Sequence, residues 1–146
     1  MNVVLDTTIF VSGLARSTPG SPATEVLARA AAQQFTPALS ALLIQEISRK
    51  LIDRGMGADA VLEFLAAFRS YSALFDDVPH AGVTCRDPND VFVRCLARTA
   101  DAACIVTQDA DLREPDFEIA GCSPGFFLSR LRELRGEAAG ERFPDA

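Results

Sequence analysis

Two short apolar runs stand out, Val3-Val4-Leu5 and Ala102-Ala103-Cys104-Ile105-Val106. Each runs straight into polar residues, Asp6-Thr7-Thr8 after the first and Thr107-Gln108-Asp109 after the second. Continuous rather than alternating apolar residues suit strands buried on both faces, as in a parallel sheet. Between these runs the periodicity is helical. Helices are expected over 8–16, over 22–33 with Ser21 as cap and Pro22 in the first turn, over 40–53, 58–69 and 90–100, and last over 123–135. Ser17 to Pro22 and Gly55-Met56-Gly57 supply the breaks. Weaker strand signals lie at Phe35–Ser40, interrupted by Pro37, at Ser72–Val78 and at Phe117–Ala120. Strands alternating with helices imply an α/β domain with a mainly parallel central sheet flanked by helices.

At 146 residues the chain suits one domain, expected over 1–135, with a polar tail over 136–146. No apolar run approaches the roughly 20 residues of a membrane span, and the N-terminus lacks the pattern of a signal peptide. Cys85, Cys95, Cys104 and Cys122 are scattered and His80 is the single histidine, which excludes the usual zinc patterns and any disulfide framework. A reducing, cytoplasmic setting is expected. The net charge of −6 argues mildly against a polyanionic partner, except where metal ions neutralise the site itself.

The carboxylates change the picture. If the two apolar strands are parallel neighbours, Asp6 and Asp109 share one sheet edge, at the carboxyl ends where such sheets bind ligands. Asp6 then reads either as the cap of the next helix or as a site residue. Two carboxylates about 4 Å apart repel by about 4 kcal/mol at an effective dielectric near 20. A cation or a shared proton must relieve this, and a carboxylate cluster without histidine or cysteine selects Mg²⁺ or Mn²⁺. Glu46 falls within the stripe Leu39, Leu42, Leu43 and Ile47, so it needs an arginine partner or a cavity. Asp90 can cap its helix and pair with Arg94. Asp87 reads as a turn residue, Asp111 as the cap of a short turn, and Asp76 and Asp77 as solvated charges.

The series Val-Val-Leu-Asp-Thr-Thr-Ile-Phe-Val-Ser-Gly-Leu, Leu-Ser-Ala-Leu-Leu-Ile-Gln-Glu-Ile, Cys-Arg-Asp-Pro-Asn-Asp-Val-Phe and Ile-Val-Thr-Gln-Asp-Ala-Asp-Leu resembles a PIN domain in order and spacing, over roughly Asn2 to Arg130. The similarity is greatest to VapC-like toxin components of bacterial toxin–antitoxin systems. The resemblance implies a three-layer fold and a Mg²⁺- or Mn²⁺-dependent endoribonuclease leaving 5′-phosphate and 3′-hydroxyl ends. It implies Asp6, Glu46, Asp90 and Asp109 as the catalytic and metal-holding acids, with Thr107 and Asp111 in support. It also implies a cognate antitoxin and a homodimer. Thr8 departs from the family's usual asparagine, although its hydroxyl can still bond a carboxylate or a water. Val91 and Phe92 stand where relatives often carry polar residues.

The implied reaction is hydrolysis of an RNA phosphodiester by a metal-activated water. Arg16, Arg49, Lys50, Arg54, Arg86, Arg94 and Arg98 lie near the acids as candidate phosphate contacts, and Arg86 and Arg94 are preferred. A phosphatase carrying its phosphate on Asp6 needs a second aspartate where Thr8 stands. The non-enzymatic alternative is a degenerate PIN fold that binds RNA or a protein without cleaving.

Overall fold

A computed structural model of the chain describes residues 1–16 and 18–137; most of the tail expected over 136–146 lies outside them. The chain forms five strands, β1 (Asn2–Leu5), β2 (Thr36–Leu39), β3 (Ala73–Leu74), β4 (Ile105–Val106) and β5 (Gly121–Cys122), and six α-helices. These are α1 (Thr7–Phe10), α2 (Pro22–Ala31), α3 (Ala41–Asp53), α4 (Ala58–Ser70), α5 (Val91–Thr99) and α6 (Pro124–Leu134). The strands make one all-parallel sheet in the order β3-β2-β1-β4-β5. With right-handed crossovers, the helices linking β1 to β2 and β2 to β3 cover one face, and α5 returns across the other. The two apolar runs are therefore neighbours, with Leu5 opposite Val106, and the strand order changes direction where they meet.

Local chemistry accounts for most element ends. Ser21, Ser40 and Ser123 each accept a hydrogen bond from the third residue of the helix that follows, at 3.2 Å, and Pro22 and Pro124 supply a fixed φ at the first helical position. α3 stops at Gly55, whose φ of 97° is open to glycine alone at little cost. The helix expected over 8–16 begins at Thr7 and passes into a π-helical turn at Val11–Ala15.

Three strand expectations are corrected. β2 runs through Pro37, because the amide that proline lacks would face the β3 side before β3 has begun. The strand expected over 72–78 is reduced to Ala73–Leu74, followed by one further bond from Phe75 N–H to the Leu39 carbonyl. The strand expected at Phe117–Ala120 lies instead at Gly121–Cys122. Phe117 uses its apolar ring otherwise, with the guanidinium carbons of Arg94 and Arg98 at 5.3 and 5.5 Å from its centroid.

The core is continuous through both faces of β1, where Val3, Val4 and Leu5 are at most 1% exposed. Phe10 meets Phe68 edge to face at 5.1 Å, which packs the end of α1 against α4. At the far side, buried Glu25 of α2 accepts from Arg29 at 3.1 Å and from Arg132 of α6 at 3.0 Å, and Glu137 joins Arg29 at 2.6 Å. The chain just past α6 is thus tied back to α2 at Glu137. No helix among the described residues is long and apolar enough to cross a membrane.

Gly121 of β5 lies against the backbone at Leu112. A Cβ there would overlap the Leu112 carbonyl oxygen, whereas one at Gly125 meets nothing. Gly121→Ala is expected to lower stability by about 1–3 kcal/mol in urea denaturation, and Gly125→Ala by nothing. Equal midpoints for the two variants would refute this close approach.

Candidate functional site

The β1–β4 pairing delivers Asp6 and Thr107 side by side, because the Asp6 amide bonds the Val106 carbonyl at 3.0 Å. Both side chains are buried, Asp6 at 3% and Thr107 at 0% exposure. The Thr107 hydroxyl donates to Asp6 Oδ2 at 2.8 Å, and the Thr8 hydroxyl donates to the same oxygen at 2.9 Å. Asp6 begins α1 without any side-chain cap bond. It stands at the N-cap position of that helix, but its carboxylate is engaged by the two hydroxyls and by no backbone amide of the first turn. Thr8 also accepts from the Gln108 amide at 3.1 Å, so it ties the ends of both strands together.

The chain then turns through Asp109. Its amide bonds Thr107 Oγ1 at 2.9 Å, and its Oδ1 accepts from the Asp111 amide at 2.9 Å, capping a 3₁₀ turn at Ala110–Arg113. The cap of this turn is therefore Asp109 and not Asp111. Asp111 faces outward, 3.7 Å from Arg86. Asp87 caps a second 3₁₀ turn at Pro88–Asp90 through the Asn89 amide at 3.0 Å. That turn sets Asp90 at the start of α5, where its side chain makes no cap bond.

Asp90, Asp109 and Glu46 meet in one cleft of about 420 Å³, lined also by Lys50, Asp87 and Phe92. Asp90 Oδ2 is buried with no hydrogen-bond partner. Burial pushes its carboxyl up to about 7, reinforced by contact with Asp109 and by the negative charges of Asp6, Asp109 and Asp87. A bare carboxylate is costly there unless a proton or a cation joins it.

Glu46 is corrected in its surroundings. The buried face of α3 is Leu43, Ile47 and Leu51, one turn apart, while Leu42 is 46% exposed. The stripe is rotated from the expected one, because Leu39 belongs to β2. Glu46 therefore sits on the flank, about one-third exposed, paired with Arg49 at 2.8 Å. The bond from Arg49 holds its carboxyl below the usual range.

Arg94 is corrected more strongly. Expected as a phosphate contact, it is 1% exposed, donating to the Thr84 and Asp111 carbonyls at 2.7 and 3.3 Å and to Asp116 at 2.7 Å. α5 is buried over Val93–Ala97, so its guanidinium serves loop carbonyls rather than solvent. Asp90 therefore has no ion pair with it. Arg86 is exposed, paired with Asp111 and Glu114, and is not among the residues that line the cleft.

The donor set fits a hard cation in kind: oxygen only, one orphaned buried oxygen, and no histidine or cysteine among the lining residues. Among the described residues no three such side chains stand close enough to form a ready-made cage. The arrangement is open, with Asp90 and Asp109 in contact and Asp6 anchored behind them.

Of the seven basic candidates near the acids, sequence reasoning preferred Arg86 and Arg94, and four of the others stand together beside the cleft. Arg16, Arg49, Lys50 and Arg54 line an adjoining cavity with Ser12 and Gln108. The available signal was spacing: Glu46, Lys50 and Arg54 are four residues apart along α3, and so share one face.

The family model described as PIN domain matches residues 2–111. The fold is similar to a chain in the crystal structure of VapBC2 from Rickettsia felis bound to a DNA fragment from their promoter. That chain is 18% identical at a TM-score of 0.57, over 83% of this chain and 98% of that one. No curated protein matches.

Asp90 makes stability depend on pH. Its folded carboxyl holds a proton, up to about 7, that the unfolded chain releases from 3.8. The stability it contributes is present below the lower value and lost as pH rises toward the upper. In chelator, Asp90→Asn is expected to be more stable than the parent at pH 8, by about 2 kcal/mol after allowance for partial solvent access, and to converge with it near pH 4. Parallel urea-denaturation curves across that range would refute it.

Proposed function

Because the chain belongs to the PIN-domain family, we propose that it is a metal-dependent endoribonuclease, the toxin of a toxin–antitoxin pair. The observation that carries this reading is the orphaned Asp90 oxygen, which shares a cleft with Asp109 and Glu46 in front of buried Asp6. Asp6, Asp90 and Asp109 would hold Mg²⁺ or Mn²⁺, with Glu46 completing the site. A bound ion of this kind neutralises charge on the phosphate and activates water for attack. The protein's own contribution is positioning. The Thr8 and Thr107 hydroxyls fix one oxygen of Asp6, and the Asp111 amide fixes one oxygen of Asp109. These bonds hold the carboxylates oriented before substrate arrives.

Thr8 tunes activity rather than abolishing it, since its hydroxyl bonds the Asp6 carboxylate at 2.9 Å. The alternative of a degenerate, binding-only PIN fold is disfavoured by the same bonds, because a site without catalytic use has no need of a buried carboxylate held by two hydroxyls.

With Mn²⁺, the parent protein is expected to cleave single-stranded RNA. Asp6→Asn and Asp109→Asn are each expected to lose roughly 100-fold or more, the scale of removing one charge-stabilising group. Gel analysis of a mixed RNA panel measures this. Equal cleavage by all three proteins, or none by any, removes the enzyme reading.

The resemblance to a chain of a VapBC complex supports an inhibitory antitoxin as partner. Its segment would enter the acidic cleft with a basic side chain, because that cleft holds three carboxylates besides Asp87. Co-expression with the product of the adjacent small reading frame is expected to give a co-purifying complex without nuclease activity. Analytical ultracentrifugation of the toxin alone is expected to show a dimer. A monomer at micromolar concentration counts against the dimer, and retained activity in the complex counts against the inhibitor.

A further inference from the structure

Beside the acidic cleft lies a second cavity, of about 320 Å³, with a cationic rim. Arg16 lines it from the residue after the π-helical turn, Arg49 and Lys50 from the last turns of α3, and Arg54 from the residue that ends that helix. Arg49 and Lys50 line both cavities, so the two form one trough, with Glu46, Asp90 and Asp109 at one end and, at the other, four cations with one carboxylate, Asp53, which pairs with Arg49 at 3.4 Å.

The cations differ in their partners. Among the described residues, Arg16, Lys50, Arg54, Arg69 and Arg113 are the basic side chains without an ion pair, and three of these five line this one cavity. Elsewhere among the described residues, Arg69 and Arg113 apart, the arginines are matched by carboxylates, in a chain of net charge −6. Lys50 is further held in place by a bond from its ammonium to Thr7 Oγ1 at 3.1 Å. Ser12 donates to Gln108 Oε1 at 2.6 Å, which orients the Gln108 amide and leaves its NH₂ to donate into the trough. No aromatic side chain lines this end.

We propose that this trough holds the sugar–phosphate backbone of single-stranded RNA on one side of the scissile bond, with Arg16, Lys50 and Arg54 as its phosphate contacts. The inference rests on the ribonuclease reading above and extends it to the way the substrate is held. A phosphate seated at the acids is covalently followed by others, and the trough meets them with unmatched positive charge. A flexible single strand can follow the bend past Arg49 and Lys50, whereas a duplex presents its phosphates on a stiff convex surface. Without aromatic platforms the contacts read backbone rather than bases, so nucleotides here are bound with little sequence preference. An acidic protein segment has matching charge but no group that would continue into a carboxylate cleft.

The test is fluorescence anisotropy with a labelled 12-nucleotide oligouridylate in chelator, titrated over a range of KCl. Circular dichroism confirms the fold of each variant. Arg16→Gln and Arg54→Gln are each expected to reduce the slope of log affinity against log salt by about 0.7, the value for one single-strand phosphate contact. Arg69→Gln, an unpaired arginine outside the trough, is expected to leave it unchanged. Unchanged slopes for Arg16→Gln and Arg54→Gln, an equal effect of Arg69→Gln, or no binding by the parent would overturn the proposal. So would displacement of the RNA by a glutamate-rich peptide that binds more tightly, which would assign the trough to an acidic protein. The Mn²⁺ cleavage assay separates the two levels. A parent that binds as expected but cuts nothing keeps the trough and loses the nuclease, and a parent that cuts with unaltered slopes loses the trough alone.

Discussion

The parallel pairing of β1 with β4 is the contact on which the rest of the site depends. It buries the Asp6 carboxylate at the sheet edge and places beside it the hydroxyl of Thr107. A buried carboxylate is tolerated only when hydrogen bonds replace its lost hydration. Thr107 and Thr8 do so, and both bonds fall on the same oxygen. Every later residue of the site is placed relative to this fixed charge. Asp109 is tied through Thr107, Gln108 through Thr8, and Asp111 through Asp109.

Asp90 is different in kind. It comes from the other side of the cleft, on a 3₁₀ turn leading into a helix, and it brings a carboxyl with one unsatisfied oxygen against charges already present. The loops around it are held by Arg94, which occupies a buried position that an apolar residue would normally take. Its guanidinium bonds two loop carbonyls and Asp116, while Phe117 covers it. The cleft is thus braced from beneath by a cation that never reaches it. This explains how a chain can hold several acids together without an arginine quenching the most strained of them.

A net charge of −6 would ordinarily discourage a polyanionic ligand. The structure resolves that tension by segregation. Most arginines are neutralised in local pairs, as Glu25 with Arg29 and Arg132, or Arg98 with Glu118. Three of the five unpaired cations among the described residues, Arg16, Lys50 and Arg54, collect instead at the end of α3 and of the first helical segment, next to the acids. Field at a ligand depends on this distribution, and global charge does not report it.

The sequence by itself marked most of the elements and the acids that the fold brings to one end of the sheet. Apolar runs marked β1 and β4, serines marked the starts of α2, α3 and α6, and the aspartates following the two runs marked the shared edge. These features are local, set by side-chain preference and by hydrogen bonds to residues two or three positions away. What only the tertiary structure decided was non-local. The true buried face of α3 depended on which neighbours it met, so Glu46 moved from mid-stripe to flank. Arg94 went inward because loop carbonyls far along the chain needed a donor. The strand expected at Phe117–Ala120 shifted to Gly121–Cys122 because Phe117 was required over two arginines. Which groups engage the Asp6 carboxylate could be told only once Thr107, a hundred residues away, was seen donating to it, since pairing across a sheet leaves no periodicity in the sequence to read.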